Sequence, residues 1–211
     1  YEFENLLLRS KDERILVKPR FSNGGVGIHL LSPNDTLLPN HIYQTFVYNH
    51  PEIIKLQGSD FCGTIRYVLY NKSENERIPV AASIQMNGGK ITDHMVNGGS
   101  YSASVDLNTG KLKGTSLDRF GNKTIENPLT KIKVDGFQLP HWATLLKVVD
   151  ETASVFPQLP LIAFDLAITD EGVVVLEINA GCGTVAAQFN NGWLNHPFIQ
   201  DNYSNIPELN L

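Results

Sequence analysis

The sequence predicts an α+β fold with antiparallel sheets. Three observations support this class: β-rich runs follow one another along most of the chain, polar or glycine-rich loops separate them, and only one long helical pattern interrupts them. The predicted order is strand, loop, strand, strand, then a hairpin layer, the helix and a last hairpin. At 211 residues the chain is long enough for one large domain or for two lobes that share a cleft.

Three short strands are predicted in the first part of the chain. Glu2–Arg9 has the pattern of one or two helical turns, and "RILVKP" is typical of an apolar strand ended by Pro19. The run "RFSNGGVGIHLLS" predicts a glycine-rich turn that leads directly into a second strand. A third strand is predicted at Ile42–Val47, followed by a proline-containing turn at Asn49–Pro51.

Two hairpins and the long helix are predicted in the rest of the chain. The runs "TIRYVLYN" and "IPVAASIQM" predict an antiparallel hairpin around the polar loop "KSENER". Lys113–Gly136 is polar and irregular, which indicates a surface excursion. The helix covers "LPHWATLLKVVDETASVF", where Trp142, Leu145 and Val149 recur at helical spacing. Two strands come next, and the tail from Ala186 has weak helical signal.

The composition is that of an ordinary globular protein, with 42% hydrophobic and 18% charged residues. A net charge of −5 without a basic run argues against a nucleic-acid-binding surface and leaves open a local pocket for a small phosphate ligand. Cys62 and Cys182 lie far apart, which predicts neither a disulfide framework nor a zinc site and favours a cytoplasmic location. No apolar run reaches the roughly 18 residues of a membrane span.

The last hairpin, "FDLAITDEGVVVLEIN", carries acidic side chains within apolar strands. If residues 170–172 form a three-residue loop with Gly172 left-handed, Asp165 lies directly opposite Glu177. Asn179 lies two residues beyond Glu177 and therefore points to the same face of the sheet. Three oxygen-bearing side chains are expected to converge on one spot.

Two opposed carboxylates destabilise a hairpin unless their charge is compensated. Oxygen ligands without His or Cys suit Mg²⁺, which keeps several waters and commonly bridges protein carboxylates to substrate phosphates. The alternative is a solvated face whose register is shifted by one residue, with Asn179 as a turn former. The hairpin alone does not separate the two interpretations.

A second pattern, "VKPRFSNGGVG", places Lys18 at a strand end shortly before Gly24, Gly25 and Gly27. Glycines let backbone N–H groups approach a phosphate closely, and a lysine can hold phosphate oxygens as a point charge. The spacing fits neither the G-x-x-x-x-G-K-[ST] loop nor the dinucleotide fingerprint, and a hairpin turn beside an exposed lysine would also explain it. Together with a Mg²⁺ hairpin, it would complete a nucleoside triphosphate site.

These motifs, in this order, resemble the ATP-grasp superfamily. The match runs from "ILVKP" and "SNGGVGI" through "YQTFV" and "TIRYVLY" to "FDLAITDEGVVVLEINAGCG". The segments "QTFVYNHPEI", "DHMVNGG", "VDLNTGKL" and "LPHWATLL" are most similar to the sugar-transfer-associated branch. The resemblance implies two α+β lobes with antiparallel sheets that grip ATP: residues 1–47 as the small lobe with the lid loop and 48–211 as the large lobe with the metal hairpin.

The resemblance also implies a reaction and a set of roles. ATP would phosphorylate a carboxylate, and an amine or another nucleophile, such as a saccharide acceptor in polysaccharide biosynthesis, would capture the acyl-phosphate. Arg66 would contact the transferring phosphoryl group. The remaining implied roles are phosphate contact for Lys18, the lid for Gly24, Gly25 and Gly27, adenine contact at the hinge for Gln44, Phe46 and Val47, and Mg²⁺ binding for Asp165, Glu177 and Asn179.

Two departures from related enzymes leave alternatives open. Peptide-forming relatives carry an arginine near Gln85 and an asparagine near His94, and this chain has neither at those places. ATP-grasp enzymes also carry an N-terminal substrate-binding domain, which is expected upstream of Tyr1 in a longer parent protein. The alternatives are therefore a nucleotide-binding module that is incomplete for turnover and a peptide-forming enzyme similar to glutamate ligases.

Overall fold

The structure of the chain is a computed structural model, and it describes residues 14–22, 24–32, 36–92, 100–181, 183, 188, 192–193 and 196–202. The helical turns predicted at Glu2–Arg9 lie outside the described residues, as do His94 and Cys182.

Three strands near the start of the chain form a small antiparallel sheet. They are β1 (Ile15–Pro19), β2 (His29–Leu30) and β3 (His41–Thr45), in the order β2-β1-β3. All three strands predicted in this part of the chain are confirmed, although the third ends earlier than the predicted Val47. The side chains of Ile15 and Val17 in the central strand are fully buried, as the period of two predicts for one face of a sheet.

Seven strands form the second sheet, in the order β10-β9-β4-β5-β6-β7-β8. Every neighbouring pair is antiparallel, so the predicted α+β class with antiparallel sheets is confirmed. The strands are β4 (Thr64–Ser73), β5 (Glu76–Met86), β6 (Tyr101–Val105), β7 (Leu112–Leu117), β8 (Lys123–Thr124), β9 (Leu161–Thr169) and β10 (Gly172–Asn179).

Three helices lie in the described part of the chain: α1 (Pro51–Gln57), α2 (Trp142–Ala153) and α3 (Pro197–Asn202). The long helix α2 is the one that the sequence predicts. The turn predicted at Asn49–Pro51 is wrong, because Pro51 opens α1 at a position where its missing N–H is tolerated. Gly58 ends α1 in the left-handed conformation with φ of 73°.

The two faces of the seven-stranded sheet have different partners. One face packs against α2, and the fully buried side chains between them include Phe164 of the sheet and Leu145 of the helix. The opposite face packs its apolar end, including Val68 and Ala163, against Trp193 and Phe198 of the C-terminal region. The rest of this second face carries polar side chains, and the candidate site lies there.

The region Lys113–Gly136 is more ordered than its polar composition predicts. Most of β7 and all of β8 lie within it, and the side chains of Asn127 and Val134 are buried. Asn127 accepts hydrogen bonds from the backbone N–H groups of Leu129 and Thr130, so a buried side chain holds the turn. The prediction is therefore correct in part: most residues of this segment are exposed, as predicted, but it contains two strands and a buried side chain that orders its turn.

None of the helices among the described residues has both the length and the apolar character that a membrane crossing requires.

Candidate active site

The last hairpin reaches the predicted pairing by a different route. Thr169 pairs with Gly172, so the turn holds only the two residues between them, and the predicted three-residue loop is wrong. A β-bulge then leaves Leu176 as an extra residue, and Asp165 lies opposite Glu177. The shorter turn and the bulge each shift the register by one residue in opposite directions. The predicted opposition of the two carboxylates is therefore found.

Asp165 is the centre of a group of polar side chains. Arg66 lies directly opposite it on β4, and its Nε and Nη2 atoms donate to the two carboxylate oxygens at 2.5 and 3.0 Å. The Nδ2 atom of Asn179 donates to Oδ2 of Asp165 at 3.3 Å. The side chain of Asp165 is only 15% exposed, whereas Glu177 is exposed. Arg66 thus pairs with Asp165, and Glu177 places a second carboxylate opposite Asp165 on the neighbouring strand.

The electrostatic surroundings of Asp165 combine burial with charges of both signs. Burial raises the pKa of Asp165 above its usual value, and the guanidinium of Arg66 opposes this change in pKa by stabilising the ionised carboxylate. The carboxylate of Glu177 raises the pKa further, and the hydrogen bond from Asn179 lowers it. A cation bound at this place would stabilise the ionised form in addition to Arg66.

The donor atoms present fit a hard divalent cation. Asp165, Glu177 and Asn179 supply carboxylate and amide oxygens, and no sulfur or imidazole ligand belongs to the group. Within the described ranges, no cluster of three or more His, Cys, Asp and Glu side chains is suited to a metal ion. Asp165 and Glu177 are two carboxylates, and Mg²⁺ is a cation that is commonly held by one or two carboxylates together with waters.

The glycine turn requires glycine for two separate reasons. Gly24, Gly25 and Gly27 have φ values of 60°, 74° and 77°, a region that other residues rarely adopt. A Cβ at Gly27 would lie 2.8 Å from Cγ of Pro19, and a Cβ at Gly25 would lie 3.0 Å from Cγ2 of Thr92. The turn thus packs against the loop that follows β5. Lys18 lies on β1, close to the start of this turn.

An open pocket of about 390 Å³ lies between the glycine turn and the loop after β5. Apolar side chains and glycines from three segments of the chain line the pocket, together with one lysine. Its lining residues are Gly25, Ile28, Phe61, Gly89, Lys90, Ile91 and Thr92.

The segment that connects the two sheets is held by aromatic contacts. The guanidinium of Arg14 lies 4.5 Å from the ring centroid of Phe46, and the ring of Phe61 packs against Phe46 edge to face at 5.9 Å. Phe46 donates its backbone N–H to the carbonyl of Arg14. Gln44 lies on β3 opposite Leu16, and Val47 is half-buried.

A buried network of side-chain amides holds the backbone of segments that line the pocket. Its members are Asn49, Gln57 and Asn87, and we call them the amide network. Gln57 donates to the carbonyls of Ser59 and Phe61, both at 2.8 Å, and its Oε1 accepts the backbone N–H of Asn87 at 3.0 Å. The Oδ1 atom of Asn87 in turn accepts the N–H groups of residues 89 and 90. The network fixes two walls of the pocket, and sequence reasoning missed it because amide residues in loops show no periodic pattern.

A further polar row crosses the sheet beside Arg66. Ser83 on β5 lies directly opposite Arg66 and so shares its face with Asp165. The side chain of Ser83 is fully buried, and its hydroxyl has no hydrogen-bond partner. Two residues along β5, Gln85 donates to the hydroxyl of Ser102. Ser83 was also missed, since a lone serine in a strand has no distinguishing signal.

The predicted site residues therefore fall into two groups. Arg66, Asp165 and Asn179 are in direct contact on the seven-stranded sheet, with Glu177 paired to Asp165. The others lie on the three-stranded sheet or directly after it: Lys18, Gly24, Gly25, Gly27, Gln44, Phe46 and Val47.

Comparison with known proteins adds the family. The profile of the family described as sugar-transfer associated ATP-grasp matches residues 32–197, more than half of the chain. The match includes Arg66 and the whole last hairpin, whereas Lys18 and the glycine turn precede it. A search of curated proteins found no match. The resemblance inferred from the motifs is thus confirmed: the chain belongs to the sugar-transfer associated ATP-grasp family and has its α+β fold.

Proposed function

We propose that the chain is the ATP-binding part of a Mg²⁺-dependent ligase that activates a carboxylate as an acyl-phosphate. Membership of the ATP-grasp family implies ATP binding and ATP-dependent, ligase-type chemistry in a sugar-transfer context. The observation that supports the finer proposal is the contact of Arg66, Asp165 and Asn179, with Glu177 opposite Asp165. Such a group combines ligands for a divalent cation with a fork for phosphoryl oxygens.

The proposed reaction has two steps. An oxygen of the substrate carboxylate attacks the γ-phosphorus of ATP, the bond to the β-phosphate oxygen breaks, and ADP leaves. An amine or another nucleophile then attacks the carbonyl carbon of the acyl-phosphate, and inorganic phosphate leaves while the nucleophile loses its proton. Phosphoryl transfer depends mostly on positioning and charge neutralisation, so no protein nucleophile is assigned.

Each residue of the proposed site binds or orients substrate. Asp165, Glu177 and Asn179 would hold Mg²⁺, whose charge when bound would neutralise triphosphate oxygens. Arg66 would direct its N–H groups to the transferring phosphoryl group. Lys18 would contact the α/β-phosphates, and the lid of Gly24, Gly25 and Gly27 would cover the β/γ-phosphates. Gln44, Phe46 and Val47 would contact adenine at the hinge between a small lobe, 1–47, and a large lobe, 48–211.

The acceptor is proposed to be a saccharide or its precursor, in the cytoplasm, with an N-terminal substrate-binding domain in a longer parent protein. The family's association with sugar transfer supports the saccharide. The pocket between the glycine turn and the loop after β5 is the proposed entry for the carboxylate or the acceptor, because Lys90 supplies a cation on its wall.

A nucleotide-binding module that is incomplete for turnover is the second candidate. Gln85 stands where peptide-forming relatives carry an arginine, and its side chain is engaged with Ser102. The two candidates differ in the second half-reaction. Phosphate release from ATP by the full-length protein, stimulated by a carboxylate and an acceptor together, would support the ligase and exclude the module.

Calorimetry with a non-hydrolysable ATP analogue tests nucleotide binding. We expect binding that requires Mg²⁺ and that weakens by at least about tenfold in Glu177→Gln, a change of about 1.4 kcal/mol. Glu74→Gln, at the exposed turn between β4 and β5, is the matched control and should leave the affinity unchanged. Equal affinities for the Glu177 variant and the wild type would contradict the metal assignment.

A further inference from the structure

The guanidinium of Arg66 binds the carboxylate of Asp165, which is also a proposed ligand of the metal ion. Its two donors reach both oxygens of Asp165, and Asn179 donates to one of them as well. A carboxylate offers about four lone-pair sites, so three of them are in use. A cation at Asp165 must therefore displace a donor or bind beside a positive charge.

Ser83 supplies a second place for the same guanidinium. It lies across β4 from Asp165, directly opposite Arg66, so that Arg66 stands between the two residues on one face of the sheet. The hydroxyl of Ser83 is buried and has no hydrogen-bond partner. Buried polar groups are nearly always paired, and an unpaired one calls for an explanation. A partner that arrives in another state of the site would explain it.

We propose that Arg66 has two positions and that a divalent cation selects between them. Without the cation, Arg66 holds Asp165 with both arms of its fork. With the cation on Asp165, Arg66 moves towards β5 and donates one N–H to the hydroxyl of Ser83. Its other N–H groups are then available to anionic oxygens of the substrate. Ser83 is a positioning residue in this scheme, because it acts through Arg66.

The scheme rests on the metal assignment of the proposed function and goes beyond it. It couples metal binding to the release of the arginine, so that Arg66 reaches the substrate only after the cation is in place. The competing explanation is a permanent ion pair between Arg66 and Asp165, with Ser83 chosen only because it is small. The two explanations predict opposite effects on binding of the metal alone.

Binding of Mn²⁺ without nucleotide, followed by the electron paramagnetic resonance of the free ion, separates them. We expect Arg66→Met to raise the affinity for Mn²⁺ by about tenfold, since the variant removes both the two donors that occupy the oxygens of Asp165 and a positive charge that repels the cation. Arg66→Lys, which keeps a charge but loses the fork, should raise it less. Arg77→Met is the matched control, because Arg77 forms a similar ion pair, at 2.6 Å, with Asp150, which is outside the candidate site.

Ser83→Ala tests the second position. We expect it to weaken Mn²⁺ binding by about threefold, as the loss of one hydrogen bond would, and to have no effect in the Arg66→Met background. Ser116→Ala is the matched control, because the hydroxyl of Ser116 is equally buried and unpaired but faces the core with Ala103. In ¹⁵N spectra, the Arg66 Nε–H signal should shift on addition of Mg²⁺, and less so in Ser83→Ala.

Three results would overturn the inference. If Glu177→Gln abolishes Mn²⁺ binding and Arg66→Met leaves it unchanged or weaker, the metal site stands and the two-position scheme is wrong. Equal effects of Ser83→Ala in both backgrounds would likewise remove Ser83 from the scheme. If neither the wild type nor Arg66→Met binds Mn²⁺, the metal assignment itself fails and the inference fails with it. Urea denaturation of each variant shows whether it is folded.

Discussion

Replacing Gln57 with leucine tests the amide network beneath the pocket. The side chain of Gln57 is fully buried and keeps nearly the same volume in leucine. The change removes the partners of three backbone groups: the carbonyl of Ser59 and the N–H of Asn87, which are buried, and the carbonyl of Phe61, which is half-buried. It also removes a weaker contact at 3.3 Å to Oδ1 of Asn49.

The expected loss of stability follows from these contacts. A buried group left without a partner costs about 1–3 kcal/mol, so the two buried groups would cost roughly 2–6 kcal/mol in a rigid structure, and the half-buried Phe61 carbonyl would add less. The neighbouring residue Asp60 is exposed, so the Ser59 and Phe61 carbonyls can be partly hydrated after small movements. We therefore expect Gln57→Leu to reduce the free energy of unfolding by about 3–5 kcal/mol, a value at the upper end for single substitutions.

Urea denaturation followed by circular dichroism measures this free energy. Gln138→Leu is the matched control, because Gln138 also donates to two backbone carbonyls, those of Thr109 and Leu139, but is exposed. Its cost should stay within about 1 kcal/mol, as water can replace the lost donor. A loss below about 1 kcal/mol for Gln57→Leu would refute the reasoning, since it would mean that the network is not needed to pair these groups.

Two further predictions concern the glycine turn and the loop before β7. Gly27→Ala should lower the melting temperature more than Gly121→Ala. Both glycines have positive φ, but only at Gly27 would the added Cβ also lie too close to the side chain of Pro19. Equal decreases in melting temperature would contradict this steric argument. The pKa of Asp106 lies below its usual range because of Lys113, 2.6 Å away, and nearby donors. The ionised Asp106 therefore stabilises the fold above the unfolded-state pKa of about 4. The difference in the free energy of unfolding between the wild type and Asp106→Asn, measured by urea denaturation, should shrink as the pH falls through and below that value. A difference that does not depend on pH would contradict this prediction.

The sequence predicts those parts of the fold that have a period or a strong local preference. Seven of the strands, β1 to β5, β9 and β10, and the long helix α2 are predicted from β-rich runs and from helical spacing, and each of these is found. Helix α1 has only seven residues, which are too few for a periodic signal. Its first residue, Pro51, does not identify a helix either, because proline is also common in turns. The buried strand and turns within Lys113–Gly136 were missed because their pairing depends on partners distant in the chain.

The candidate site was predictable where residue type and register coincide. Counting from a three-residue turn puts Asp165 opposite Glu177, and the structure reaches the same pairing because its shorter turn and its bulge compensate each other. A bulge cannot be seen in the sequence, because it is set by packing and twist rather than by one residue type. The contact between Arg66 and Asp165 depends on the pairing of β4 with β9, which are far apart in the sequence.

The bulge at Leu176 changes what the strand can do along its length. Near the turn, Val173 and Val175 pack against the core; in a regular strand, Glu177 would follow them into the apolar interior. The extra residue reverses the alternation, so Ile178 returns to the core and Glu177 points out beside Asp165. The same strand therefore packs apolar side chains into the core near the turn and places the Glu177 carboxylate beside Asp165 at its other end.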